Sequence, residues 1–270
     1  MSVNIEANFY TTHSPFTDPH HYAAMLDPFP KKVDNICQIL HTLFLHPSDL
    51  PYFHFTPPKL RHRALQLRYL HKIIDHLLML DDRPLTHPRD PQKRVLGICR
   101  DNALFLCAVL RHHKIPARLR AIYSKYFTPG WFPDGFLVEY FDDTKKRWCL
   151  ADARTSNWLI KTKKLKIDFD LSDIPPDQYL TAAAAWKLCR AEKVDPRQFG
   201  TGPYRGITIV RNRMIQDWAL LHKNEVLIAD LWGIMSQPLR TETLSLLDRL
   251  SDYLMSDNEN RFLRKQSTHQ

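Results

Sequence analysis

The chain has 270 residues, of which 44% are hydrophobic and 25% are charged, and its formal net charge is +9. This length and hydrophobic content are enough for a full buried core, as one large domain or as a core with helical additions. Only 7 glycines stand against 19 prolines, and no G-x-G-x-x-G or Walker pattern occurs. The composition therefore excludes the glycine-loop nucleotide binders.

Two amphipathic helices are predicted in the first third of the chain. Lys31–Leu45 carries an apolar stripe that includes Ile36 and Leu40, and Leu60–Leu80 carries one that includes Ile73 and Leu77. Apolar residues at this spacing form one face of a helix. We expect both helices to pack around the core.

A third helix is predicted to begin near Cys99, after Gly97 breaks the preceding chain. Its apolar face is formed by Cys99, Ala103, Leu106, Cys107 and Leu110. Basic residues at 112–114 suit a helix C-terminus, and the proline at 116 prevents continuation. A thiol in the first turn lies near unpaired backbone N–H groups, which lower a cysteine pKa from about 8.5 to as low as roughly 3.5–7.5. Cys99 is therefore the predicted nucleophile, whereas Cys107, two turns on, is predicted to be an inert core residue.

Three strands are predicted after this helix, at Ala117–Phe127, Gly135–Phe141 and Arg147–Ala151. Their turn and loop signals favour an antiparallel meander packed on the cysteine-bearing helix. Further helices are predicted at Tyr179–Ala191, Met214–His222 and Thr241–Met255. The expected organisation is a single domain over residues 1–270. Its core spans about 60–170, its helical extensions 1–59 and 171–255, and its polar tail, 256–270, frays.

Three motifs in this region resemble those of the transglutaminase-like superfamily, and more narrowly a group of bacterial transglutaminase-like proteins. Residues 97–103 read GICRDNA, close to the group's G-x-C-R-D-x-A helix. Residues 134–141 read DGFLVEYF where the group has a strand like D-H-W-V-C-E-Y-W, and residues 147–153 read RWCLADA, like R-W-x-L-x-D-A. Similar short matches extend outward over most of the chain, at 81–85, 115–118, 167–170, 195–200 and 231–233.

The resemblance implies an α+β fold with a transglutaminase-like, or papain-like cysteine protease, core and helical additions at both ends. It also implies a Cys-His-Asp triad for acyl transfer through a thioester, with Cys99 as nucleophile and Asp152 as the orienting carboxylate. The histidine position is held by Gly135, and Phe136 replaces the neighbouring tryptophan. The chain is therefore expected to be an impaired or inactive relative of cysteine acyltransferases and amide hydrolases, a pseudoenzyme. Its substrate class would be a protein or small-molecule amide or amine.

Other interpretations of these residues stay open at the sequence level. Cys99 alone is compatible with a small core residue, and Asp152 with a strand-end turn residue. Arg100 either supports an anionic ligand or pairs with an acidic group such as Asp101. Asp134 either lines the site, as Phe136 would, or is solvent-facing or ion-paired.

A histidine from elsewhere in the chain would restore the proton carrier and give a working cysteine amide transferase or hydrolase. His112 and His113 end the Cys99 helix, and thirteen residues of helix place them roughly 20 Å away. The sequence leaves open the histidines in loops or other helices, which are His13, His20, His21, His87 and His222.

The cysteine content and the charge pattern limit the remaining possible functions. Five scattered cysteines without a C-x-x-C pair predict no zinc site, no other metal or cofactor, and a reducing compartment. A secretory signal and a membrane span are not expected, so the predicted location is cytoplasmic and the protein soluble. Basic clusters at 59–72, 111–120 and 161–166 are predicted to be a solvated face. The alternative is a basic binding module for an acidic partner, and nucleic acid is not the expected one.

Overall fold

The computed structural model describes residues 8–263, with side chains up to residue 256, and has the α+β composition that the sequence predicts. The helices are α1 Val33–Leu43, α2 Leu70–Leu80, α3 Cys99–His112, α4 Asn157–Lys163, α5 Ala182–Arg190, α6 Ile207–Leu221 and α7 Thr241–Leu263. The strands are β1 Phe44–Leu45, β2 Val95–Leu96, β3 Ala117–Ser124, β4 Asp134–Asp142, β5 Arg147–Ala151, β6 Tyr179–Thr181, β7 Gly200–Thr201 and β8 Tyr204–Arg205. Short 3₁₀ helices occupy His20–Met25, Pro47–Phe53, Lys59–Gln66, Pro91–Lys93, Pro176–Gln178, Pro196–Gln198 and Gly233–Ser236.

The chain folds as two compact units. The first contains the described residues up to Arg120, together with Phe136–Pro175 and Leu220–Ile228, and the second contains the rest. Strands β3 and β4 each begin in one unit and end in the other. The single domain with its core at 60–170 stays a prediction.

Helix α3 lies at the centre of the first unit. It packs against α1 and α2, and every residue from Arg100 to Arg111 is buried. The sequence predicts only one buried face for this helix. Its other face is also buried because the polar side chains there are satisfied by neighbouring protein groups, as Arg100 and Asp101 illustrate below.

The first unit contains β5, β4 and the start of β3, side by side in that order. β4 and β5 are antiparallel, with Val138 opposite Ala151. β3 is buried on both faces although Arg118 and Arg120 alternate with its apolar residues. Both guanidiniums bond to the Glu139 carboxylate, Arg118 Nε at 2.6 Å and Arg120 Nη1 at 3.1 Å, which makes their burial tolerable.

The second unit contains the end of β3, which pairs antiparallel with β6 so that Ile122 faces Thr181. The predicted helix Tyr179–Ala191 is therefore wrong over its first three residues, which form β6. Thr181 then caps α5, because its hydroxyl accepts a hydrogen bond from the Ala184 N–H at 3.2 Å. α5 packs on α7 in this unit.

The predicted helix Leu60–Leu80 is interrupted. Lys59–Gln66 forms a 3₁₀ helix, and α2 begins only at Leu70. The reason lies in Arg100, which donates hydrogen bonds to the backbone carbonyls of Leu67 and Arg68 at 3.1 and 2.7 Å. A tertiary contact thus fixes this break in what the sequence pattern reads as one helix.

The chain ends also differ from the predictions. α6 begins at Ile207 rather than Met214, and α7 continues to Leu263 rather than ending at Met255. The fraying of 256–270 stays a prediction. The rest of the tail lies outside the described residues, as do the first seven residues, where no secretory signal is predicted. Within the described part of the chain, no helix combines the length and the apolar character needed to cross a bilayer.

Candidate functional site

Cys99 is the first residue of α3, as the sequence predicts. It is half-exposed, whereas the other four cysteines, Cys37, Cys107, Cys149 and Cys189, are buried. Burial raises the pKa of the Cys107 thiol to about 12, which agrees with the inert core role predicted for it. Cys99 is thus the cysteine that solvent and small reagents reach most readily.

The approach to Cys99 depends on Gly97. A side-chain carbon at residue 97 would lie 2.7 Å from Cδ1 of Phe44 in β1, closer than carbon atoms pack. The Gly97 N–H also donates to the Leu45 carbonyl at 3.1 Å. The Ile98 N–H then donates to Oδ2 of Asp101 at 2.9 Å, which satisfies one of the donors at the start of α3. This local arrangement holds Cys99 at the helix start.

Arg100 pairs with Asp101, which is the second of the two roles that the sequence leaves open for it. Its side chain is fully buried, and all three guanidinium nitrogens donate hydrogen bonds. The acceptors are the backbone carbonyls of Leu67, Arg68, Glu225 and Val226 and the carboxylate of Asp101. The anion-binding hypothesis for Arg100 is therefore wrong, because the protein itself occupies the donors that a ligand would need.

Asp152 directly follows β5 and is buried. Its Oδ1 accepts hydrogen bonds from the N–H groups of Arg154 and Thr155 at 2.8 and 3.0 Å, and its Oδ2 accepts one from the Thr155 hydroxyl at 2.6 Å. These bonds are those of a turn-forming aspartate. They do not decide whether Asp152 also orients a catalytic group.

The structure brings His41 of α1 to the neighbourhood of Asp152. Burial lowers the pKa of His41 to about 4, and the negative charge of Asp152 opposes this shift. Nε2 of His41 is buried and has no hydrogen-bond partner among the described residues. His41 was missing from the histidines considered at the sequence level. Its position four residues after Cys37 on a helix is the signal that could have found it, because both side chains then share one face.

Two adjoining cavities of the first unit meet at His41. One has a volume of about 290 Å³ and extends to Asn102, one helical turn beyond Cys99. The other, of about 560 Å³, is lined by Asp152 and Cys37. The smaller cavity is lined by His41, Thr42, Phe44, Leu45, His46, Asp49, Phe53, Arg94, Asn102, Arg154, Ser156 and Trp158.

The predicted site residues of β4 have structural contacts of their own. Gly135 lies in the strand and is buried. In the second unit, Asp134 is ion-paired with Arg213 at 2.5 Å and accepts a hydrogen bond from the Thr201 hydroxyl at 2.6 Å. Phe136, in the first unit, is 1% exposed. Asp134 is thus ion-paired, one of the alternatives that the sequence leaves open, and Phe136 lies in the core. The binding roles predicted for them stay predictions. The predicted proximity of Cys99 to residue 135 stays a prediction.

Three other predictions concern His13, the basic cluster at 111–120 and metal binding. His13 lies beside His112, with ring centroids 6.5 Å apart, and therefore near the opposite end of α3 from Cys99. The basic cluster at 111–120 is not a solvated face, because Arg111, Arg118 and Arg120 are buried. In the part of the chain that the structure describes, no group of three or more His, Cys, Asp or Glu side chains is arranged to hold a metal ion.

Comparison with known proteins adds one structural similarity. No protein-family model matches the chain, and no curated protein matches it. Among solved structures it is similar to a candidate cysteine protease from Cytophaga hutchinsonii, with a TM-score of 0.40 and 13% sequence identity. The alignment covers 67% of this chain and 47% of that chain, so the chain spans about half of the protein it resembles. A similarity at this level supports no argument about activity, which has to come from the residues themselves.

Proposed function

We propose that the chain is a transglutaminase-like protein that retains the cysteine and aspartate positions of acyl transfer, Cys99 and Asp152, and has lost the histidine, at Gly135. In this proposal it is an impaired or inactive cysteine acyltransferase or hydrolase. One observation carries the proposal beyond the sequence motifs. Cys99 opens a long central helix and is half-exposed, while the other cysteines are buried.

The reaction of an intact Cys-His-Asp site shows which steps need the missing histidine. The cysteine thiolate attacks a carboxamide carbonyl, a C–S bond forms, and the C–N bond breaks as an imidazolium gives its proton to the leaving amine. An amine or water then attacks the thioester, the imidazole takes the proton of that nucleophile, and the thiolate leaves. The aspartate keeps the imidazole oriented in both steps.

A glycine at position 135 can neither pair with the thiolate nor move a proton. Well-placed acid–base groups contribute about 10²–10⁴-fold in rate, so acyl transfer in this chain is expected to be slower by at least that factor than in an intact site.

The proposal is tested by installing the missing group. Gly135→His should raise the alkylation rate of Cys99 by iodoacetamide below neutral pH, and Asp152→Ala in the same background should cancel the gain. Cys107 supplies the internal control, because its labelling reports unfolding only. If Gly135→His folds normally and Cys99 labels no faster, the site has diverged beyond the triad. The protein is then a binding scaffold whose cavities, rather than its cysteine, carry the function. Adding Phe136→Trp tests whether the neighbouring departure from the motif blocks the gain.

A second candidate function is an active cysteine enzyme whose base comes from elsewhere. His41 favours it, because the structure places this histidine near Asp152, and its Nε2 has no partner among the described residues. Burial lowers its pKa to about 4, so the ring is neutral at pH 7 but is a weaker base than an ordinary histidine. If His41→Gln slows the alkylation of Cys99 at neutral pH while His13→Gln does not, this function replaces the first. Equal rates in both variants exclude it.

A further inference from the structure

Arg94 lines the smaller cavity with a guanidinium that no carboxylate of the described residues neutralises. Its Nε donates to the Arg89 carbonyl at 2.9 Å and its Nη1 to the His41 carbonyl at 3.3 Å. Nη2 has no partner among the described residues. Burial lowers the pKa of Arg94, and the negative charge of Asp90, which forms no ion pair with it, only partly opposes this shift. This charge is the unusual feature of the cavity.

The carboxylate of Asp49, which also lines the cavity, is already shared by two cations. Nη2 of Arg154 lies 2.6 Å from Oδ2 of Asp49, and Nζ of Lys163 lies 3.6 Å from Oδ1 of the same carboxylate. With Asp49 occupied in this way, the positive charge of Arg94 remains for a ligand.

His46 adds a second donor to the same cavity. Its Nδ1 accepts a hydrogen bond from the Ser48 N–H at 3.1 Å, so the proton of the neutral ring is on Nε2. Burial lowers the pKa of His46 to about 4, which keeps the ring neutral at pH 7. Nε2–H has no acceptor among the described residues and is available to a ligand.

An aromatic wall completes the cavity. The rings of Phe53 and Trp158 stack with centroids 4.7 Å apart, and the Arg94 guanidinium carbon lies 5.7 Å from the centre of the Phe53 ring. Phe44 and Leu45 add apolar surface. A volume of about 290 Å³ is at the lower end of small-molecule sites, so the cavity fits a compact group.

We propose that this cavity binds the carboxylate of a ligand with an aromatic or branched apolar body. The carboxylate pairs with Arg94 and accepts a hydrogen bond from His46, while the body packs on Phe53 and Trp158. A small organic acid and the C-terminal residue of a peptide offer the same chemistry. This function needs no reactive thiol and therefore goes beyond the proposed acyl-transfer scaffold.

Calorimetric titration of the full chain with 3-phenylpropionate tests the proposal, with 3-phenylpropionamide as the neutral probe of the same shape. The acid should bind at least about tenfold more tightly than the amide, since a hydrogen bond to a charged group contributes that much. Arg94→Gln should remove this preference. Arg63→Gln, an exposed arginine outside the cavity, should leave it unchanged.

The variant His46→Asn tests the second hydrogen-bond donor of the cavity without disturbing the local fold. The asparagine oxygen can replace Nδ1 as acceptor for the Ser48 N–H, but Nε2–H is lost. We expect several-fold weaker binding of the acid and unchanged binding of the amide. Tripeptides ending in phenylalanine, as free acid and as C-terminal amide, distinguish a peptide terminus from a small acid. The proposal is overturned if acid and amide bind equally, if neither binds, or if Arg94→Gln keeps the preference. Repeating the titration in Cys99→Ala keeps this result separate from that of the thiol experiments.

Discussion

Arg94 and Arg100 are six residues apart, on either side of Cys99, and their surroundings are opposite. Arg100 is fully buried, and each of its guanidinium nitrogens meets a protein acceptor. Arg94 is half-buried beside a cavity and leaves Nη2 without a partner among the described residues. The first arginine holds the fold together around α3, whereas the second presents unused charge to a space large enough for a ligand.

This difference distinguishes polar side chains that stabilise the fold near the candidate site from those that can bind a ligand there. A buried polar group that serves the fold is usually saturated by the protein, and an unsaturated one calls for another explanation. By this criterion Arg100 belongs to the fold, and Nε2 of His41, which is buried without a partner among the described residues, calls for another explanation. Arg94 and His46 belong to the proposed carboxylate site. Four experiments test this distinction.

Arg100→Met should strongly destabilise the protein. It leaves Asp101 without its partner and removes the donors to the carbonyls of residues 67, 68, 225 and 226. Removing one member of a buried, bonded charge pair costs about 3–5 kcal/mol. Urea unfolding should show a loss of this size, and Arg63→Met serves as the exposed control. A loss below about 1 kcal/mol would mean that Arg100 is not the structural arginine of the pair.

Gly97→Ala tests the chain between the two arginines. The added methyl group would lie 2.7 Å from Cδ1 of Phe44, so the start of α3 or β1 must shift. Overpacking of this kind costs about 1–3 kcal/mol. Thermal unfolding measures the loss. Gly202→Ala has no atom within 4 Å of the added carbon and controls for the glycine itself, although its positive φ contributes strain of its own. Equal stability of Gly97→Ala and wild type would contradict the close approach.

Lowering the pH should destabilise the protein, because the cavity region contains two neutral histidines. The folded-state pKa values of His41 and His46 are lowered from 6.5 to about 4 by burial, so the unfolded chain binds more protons between these values. Stability should therefore fall as the pH drops from about 6.5 to 4. His41→Gln should reduce this slope by up to about 1.4 kcal/mol per pH unit. If the slope is the same in the variant, His41 titrates normally and the cavity is wetter than described.

Arg94→Gln should have the smallest effect on folding. It removes two hydrogen bonds to backbone carbonyls and relieves an uncompensated charge, so the free energy of unfolding should change by less than about 1 kcal/mol. Urea unfolding without ligand measures it beside Arg100→Met. A loss as large as that of Arg100→Met would place both arginines in the fold and remove the contrast between them.

The sequence predicts those parts of the molecule that local pattern determines. Helix α3 begins at Cys99 and β5 spans Arg147–Ala151, as expected, because helix caps and turns are local signals. The break at Leu67 was missed because a distant side chain, Arg100, creates it. The strand at 179–181 was missed because pairing with β3 overrides its helical pattern.

The residues of the candidate site likewise fall into those that sequence motifs predict and those that they do not. The positions of Cys99 and Asp152 follow from motifs, and no motif distinguishes the saturated Arg100 from the unsaturated Arg94. His41 and His46 approach the cavity through the packing of α1 and the turn after β1, which depends on contacts far apart in the chain. Partner groups of this kind become visible only in three dimensions.

The central claim is that Cys99 is the nucleophile position of a triad whose histidine has been replaced by Gly135, and the pH profile of Cys99 alkylation tests this claim most directly. Iodoacetamide labelling followed by peptide mass spectrometry, with Cys107 as the buried control, gives the profile for wild type and Gly135→His. We expect wild-type Cys99 to label slowly below neutral pH and to speed up as pH rises, and Gly135→His to label rapidly in acid. Labelling of wild-type Cys99 well below neutral pH that is as rapid as in Gly135→His would contradict the account, because the added histidine would then supply nothing that the wild-type site lacks.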